Sequence, residues 1–191
     1  FSLAIFFICG LYKLNNLITY ELKDYWNQLF YRLKYLDFFS KIILVIMFIL
    51  LLINLFGASL APIGIDDIKY HFAIPKRYLN DNAIKFYGDI EFSNFPFPIE
   101  MIWTLAISID STAVLAQQLN FVFGLLVLGW IYLISKKAGL DLSTIILSIC
   151  LFYSISSVGY QSRSGSVELG GALFFLAGKY YLIFFFKKKQ L

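Results

Sequence analysis

From Ile42 to Ile65 the chain runs without a single charged side chain, longer than the roughly 20 apolar residues a helix needs to cross hydrocarbon. The same holds from Ser111 to Ser135 and from Leu142 to Ser162, and a fourth stretch, Val167 to Phe186, is interrupted only by Glu168 at its start and by Lys179. A composition of 60% hydrophobic, 19% aromatic and 15% charged residues lies outside the range of soluble globules. The expectation is an all-α, polytopic transmembrane helix bundle forming a single domain over 1–191. Phe1 to Tyr12 is apolar but too short to span, so residues 1–18 read as a partial span and the chain as a piece of a longer protein. It has neither the basic start nor the small-residue cleavage site of a signal peptide.

Basic residues orient the spans, because cytoplasmic loops collect Lys and Arg. Lys13, Lys23, Arg32, Lys34 and Lys41 precede the span at 42–60. Lys136 and Lys137 share one short loop, and Lys187, Lys188 and Lys189 close the chain. All three groups face inward together if 42–60 runs outward, 112–134 inward, 142–159 outward and 166–186 inward. The inside then carries ten basic against four acidic residues, and the outside five against eight. The net charge of +4 is therefore a matter of topology and not a nucleic-acid footprint. Richness in Phe, Ile, Lys and Asn points to an AT-rich genome and a prokaryotic cell membrane, with the polar segment facing outside.

Two cysteines, Cys9 and Cys150, both fall in apolar runs, where they read as small buried hydrophobes rather than a disulfide framework. Residues 20–41 place Leu22, Trp26, Leu29, Leu33 and Leu36 at spacings of three and four, opposite Lys23, Asp24, Asn27 and Lys34. That is the pattern of an amphipathic helix on the inner leaflet.

The segment 61–111 is where the polar residues concentrate, and it reads as an exterior loop of short interfacial helices. In "IDDIKYHFAIPKRYL", Ile68, Phe72, Pro75 and Leu79 fall near one helical face, while Asp66, Lys69, Tyr70 and Arg77 point elsewhere. Pro75 disfavours helix at Ile74 and predicts a break there. Phe97 to Ile109 is too short to span, with Glu100 near its start and Pro96 and Pro98 as a rigid lead-in. Asp66 or Asp67 could cap the helix that follows. Asp67 and His71, four residues apart, could bind a metal together or hydrogen-bond. Lys69, Lys76, Arg77 and Arg163 are phosphate candidates, although anionic headgroups would use the same residues. Lys179 is costly if it faces lipid, and either snorkels or faces the bundle.

Taken in order, "APIGIDDIKYHFAIPKRYL", "FSNFPFPIEM", "AQQLNFVFGLLVLGW" and "GSVELGGALFFLAGKYYL" resemble the membrane glycosyltransferases of the GT-C fold. The likeness is to the broad group with the protein O-mannosyltransferases and aminoarabinose transferases. It covers the chain from about residue 42 to its end. An acidic residue early in the first exterior loop, in a D-x-x-x-Y-H pattern, falls on Asp66 with Tyr70 and His71. The Pro-rich turn falls on Asn94 to Pro98, and a later acidic residue at the outer start of a span falls on Glu168. Two departures stand out. "NFPFP" replaces the lysine and paired prolines of the aminoarabinose transferases, and Glu168 stands where Asp is commoner.

What the resemblance implies is an inverting transfer of a sugar from a polyprenyl phosphate to an undetermined acceptor at the exterior face. An acceptor hydroxyl needs a carboxylate base, for which Asp66 is the first candidate and Asp67 the second. The departing phosphate needs cations or a divalent metal ion. Lys69, Tyr70, His71, Arg77, Arg163 and Glu168 are the implied substrate contacts, and the lipid bilayer is the standing partner. The competing classes are a membrane transporter, which wants ionisable residues near mid-membrane, and a structural membrane subunit without catalysis.

Overall fold

The computed structural model describes residues 31, 33–90, 92, 93 and 98–189, the stretch 183–189 through its backbone only. The partial span at 1–18, most of the amphipathic helix at 20–41 and the turn through Pro96 lie outside the described residues. Contacts divide the chain into two units, 1–42 and 43–191. In the first, the Asp37 carboxylate accepts from the backbone N–H of Ser40 at 2.9 Å and from its hydroxyl at 2.6 Å. This N-cap starts helix α1 (Phe38–Ala58) four residues before the charge-free run, since Lys41 can be helical without being apolar.

Six further α-helices follow: α2 (Ala73–Asp81), α3 (Pro98–Ile109), α4 (Val114–Lys137), α5 (Leu142–Ser154), α6 (Ser156–Gln161) and α7 (Glu168–Lys189). A π-helical turn, Asp67–His71, precedes α2. No strand occurs among the described residues. At about 1.5 Å per residue, α1 and α4 are long and apolar enough to cross a membrane. Only 22% of the apolar stretch of α1 is buried, and Phe48 and Phe56 stand 62% and 72% exposed. A soluble core helix would be covered on most sides, whereas a helix apolar all round and open to its surroundings fits contact with lipid.

The expected span at 142–159 is not one helix. Ile155 adopts an extended backbone, φ −62° and ψ 122°, and leaves α5 at 13 residues, about 20 Å. Ser154, Ser156 and Ser157 flank the break, and the Ser154 hydroxyl donates to the Leu151 carbonyl at 2.9 Å. Such local bonds offer the chain an alternative to continuing the helix. The stretch expected at 166–186 is helical from Glu168 onward as α7, with Lys179 exposed.

Gln117 at the start of α4 donates to the Leu60 carbonyl at 2.7 Å, just beyond the end of α1. Asn120, one turn further, donates to the carbonyls of Gln161 and Ser164 at 2.7 and 2.9 Å. The end of α1, the start of α4 and the 161–167 connection into α7 therefore meet at one end of the helices. Lys136 and Lys137 sit in the last turn of α4, at its opposite end. There Gly139, at φ 83°, closes the helix, with the Leu140 N–H returning to the Ser135 carbonyl at 3.1 Å.

The break expected at Ile74 falls instead at Phe72. Pro75 is the third residue of α2, and the first helical N–H groups have no intrahelical acceptor, so its missing proton costs nothing there. Before it, the Phe72 N–H reaches back five residues to the Asp67 carbonyl at 2.9 Å. The wider π turn changes which side chains face inward. Asp67, His71 and Phe72 are buried, while Ile68, expected beside Phe72, is 59% exposed.

Candidate functional site

The site is built on the polar end of α1, α4 and α7. Beneath it lies a core of Phe72, Ile99, Trp103, Ala106, Ile107, Ala113 and Ala116, so the π turn, α3 and α4 share one apolar floor. Trp103 Nε1 donates to the Gly165 carbonyl at 3.0 Å. Together with the two bonds from Asn120, this fixes the 161–165 connection from below. The Gly165 N–H donates to the Asp67 carboxylate. A Cβ on Gly165 would run into the Phe72 ring, so glycine permits this close approach of connection and π turn.

Asp67 is 3% exposed, and its Oδ2 has no hydrogen-bond partner. Burial raises its pKa above the ordinary carboxylate value of 3.8; the Gly165 N–H and His71 oppose that rise, while Asp66 and Glu168 add to it. It lines a cleft of about 180 Å³ with Gly57, Leu60, Gly64, Tyr160 and Arg163. That volume is below the roughly 300 Å³ of sites that enclose a whole drug-sized ligand, which suits the reacting end of a substrate rather than its full length. Two glycines admit the polar groups. At Gly64 a Cβ would meet the Asp67 carboxylate and the Tyr160 hydroxyl, and at Gly57 it would meet Arg163 Cδ at 2.6 Å.

Asp66 precedes the π turn, is exposed and makes no side-chain cap bond. Its charge nevertheless reaches Asp67, Tyr70 and Tyr160. Glu168, exposed at the first turn of α7, acts on Asp67 and Tyr70 as well. The Tyr70 and His71 rings lie against each other at 4.2 Å between centroids, tilted by 46°, and burial followed by Asp66, Glu168, Glu100 and Asp67 raises the phenol pKa of Tyr70. The structure thus gathers Asp66, Asp67, Tyr70, His71 and Glu168 from the sequence-derived set, with Arg163 at the cleft.

Arg77 is placed otherwise: both arms of its guanidinium are taken by Asp89, at 2.7 and 2.6 Å, which leaves no free fork for a phosphate. Lys69 and Lys76 are exposed and do not line the cleft. His71 does not turn to Asp67 for its hydrogen bond. Its Nδ1 lies 2.9 Å from Glu100 Oε1, with both residues buried. Among the described residues no three His, Cys, Asp or Glu side chains converge to hold a metal ion.

Sequence reasoning passed over Glu100, Tyr160, Asn120 and Trp103. Glu100 and His71 are 29 residues apart, and nothing local in either stretch announces the pair. An Asn in an otherwise apolar helix was the available signal for Asn120, since a buried amide needs partners. Neither a family model, nor a curated protein, nor a solved structure matches this chain.

Proposed function

We propose that this chain is the membrane part of a glycosyltransferase of the GT-C type: a polytopic bundle that moves a sugar from a polyprenyl phosphate to an acceptor hydroxyl at the exterior face. The observation that carries the reading is the buried Asp67 oxygen without a partner, in a cleft shared with Arg163 beside the end of an apolar helix. A carboxylate shielded from water, with one oxygen held by Gly165 and the other free, has the character of a general base for a hydroxyl. The exposed Arg163 guanidinium supplies positive charge for the departing phosphate. Leu60 and Ile63, 66% and 86% exposed, give the rim an apolar surface on which a lipid tail can lie while its head group enters the cleft.

In this reading Asp67 is the base, and Asp66 and Glu168 shape the field around it. The resemblance alone ranks Asp66 first, so the two carboxylates are tested separately below. Mass spectrometry of polyprenyl-linked sugars and surface glycans, in cells with and without the gene, tests the reading directly. Loss of one glycan with build-up of its lipid-linked sugar is the expected result. Unchanged glycans together with unchanged lipid-linked sugars would retire the proposal.

A further inference from the structure

Three titratable side chains, Asp67, His71 and Glu100, are each at least 95% buried, yet the proposed transfer uses only one of them. We propose that Glu100 is a positioning residue that holds His71 through Nδ1, so that whenever the imidazole is neutral it is the Nδ1–H tautomer and Nε2 is left as a hydrogen-bond acceptor. The contact of Nδ1 with Glu100 Oε1 is 2.9 Å. An imidazole nitrogen is a stronger base than a carboxylate, so the proton between them belongs to Nδ1, and an ionised carboxylate can only accept. Which ring nitrogen is protonated follows from the hydrogen bond that one of them makes. In the neutral ring Nδ1–H therefore donates to Glu100, and Nε2 keeps its lone pair.

The ring cannot easily swing away. The Tyr70 ring packs against it, tilted by 46°, at 4.2 Å between centroids. Glu100 sits in the first turn of α3 between two anchored neighbours, Ile99 at 6% and Trp103 at 0% exposure. The groups facing the ring are Glu100 from α3, Tyr70 and Asp67; Asp66 and Glu168 act in turn on Asp67 and Tyr70. An ionised carboxylate accepts and does not donate, so neither Glu100 nor an ionised Asp67 supplies a proton to Nε2, and the donor it is matched to is a substrate hydroxyl or water. That last step rests on the glycosyltransferase reading; the tautomer does not.

His71 is the chain's only histidine, so one pair of ring signals reports on it without assignment. The test is the ¹⁵N spectrum of the chain, labelled in histidine, purified on a histidine-free tag and held in lipid nanodiscs across a pH series. The expected neutral ring has a protonated Nδ1 and a bare Nε2. In Glu100→Gln, whose amide can either accept from or donate to the ring, the signals should move toward a mixture of tautomers or to Nε2–H. A wild-type ring that is Nε2–H when neutral, or that stays doubly protonated up to about pH 9, well above the ordinary histidine range, would overturn the inference. So would a folded Glu100→Gln variant with the wild-type spectrum. Because the spectrum needs no substrate, its failure and a failure to find sugar transfer are separate results.

Discussion

Asp67 and Asp66 are adjacent in the chain and opposite in circumstance, which makes them a sharp pair of probes. Asp67→Asn keeps the shape and the acceptor for the Gly165 N–H but removes proton acceptance. Transfer should fall about 100-fold or more. Asp66→Asn, changing an exposed side chain outside the cleft, should cost much less. The reverse order in an assay of labelled sugar transfer from a polyprenyl phosphate would hand the base's role to Asp66. Stability adds a second reading. Burial raises the Asp67 pKa above 3.8, so the folded state holds its proton more tightly than the unfolded chain does. That contribution is fully present below pH 3.8 and is lost as pH rises through the folded value. At neutral pH the ionised, half-satisfied carboxylate is a cost. Melting temperatures of Asp67→Asn should therefore equal or exceed wild type at neutral pH and lack the fall on the rising side of that window. A variant less stable than wild type at neutral pH would mean that the ionised group holds the fold together, a structural role in place of a poised base.

The helices were legible in the sequence where continuous apolarity decides them, as in α1 and α4, because length and lack of charge are local properties. The breaks were not. Ile155 interrupts the expected third span in a stretch where Asn54 of α1 lies against Gly159 and Tyr153 shares a hydrogen bond with Ser162, contacts that no window of sequence contains. The π turn was hidden for the same reason. Its extra residue turns Asp67 inward onto Gly165, almost a hundred positions away, so the residues alone located the polar segment, and the order of Asp66 before Asp67 came from the resemblance. The connection at 161–165 is where this tertiary information concentrates. Asn120→Leu removes both donors to it and leaves the buried Ser164 carbonyl without its donor, while the Gln161 carbonyl keeps the Ser164 N–H and hydroxyl. A loss of about 1–3 kcal/mol is expected, read as a lowered melting point. Transfer should weaken alongside, because the same connection carries Arg163 and the Gly165 N–H. Asn120→Leu with wild-type stability and activity would show that the connection holds itself in place.

For the whole molecule, the question is whether the polar end of the helices faces outside. The geometry that joins the end of α1 to the start of α4 through Gln117 and Leu60 makes those helices run in opposite senses, as the lysine distribution requires. Lys136 and Lys137 then lie on the side away from the cleft. Surface labelling can settle the orientation if reporters are chosen from exposed positions. Ser93 is unsuitable: it is 6% exposed, and its hydroxyl donates to the Tyr87 carbonyl at 2.6 Å. Ile84, 73% exposed in the stretch after α2, and Leu140, 43% exposed after α4, are better placed and make no demand on a positive φ. In a background with Cys9 and Cys150 replaced by serine and alanine, respectively, Ile84→Cys should react with a membrane-impermeant thiol reagent added to intact cells. Leu140→Cys should react only after the membrane is opened. Positive charge holds cytoplasmic loops inside, so replacing Lys136 and Lys137 with glutamine should weaken this bias and raise outside labelling at Leu140→Cys. Labelling of Leu140→Cys but not Ile84→Cys in intact cells would place the Asp67 cleft inside, where a site for exterior transfer cannot be, and the function proposed for it would fall with the topology.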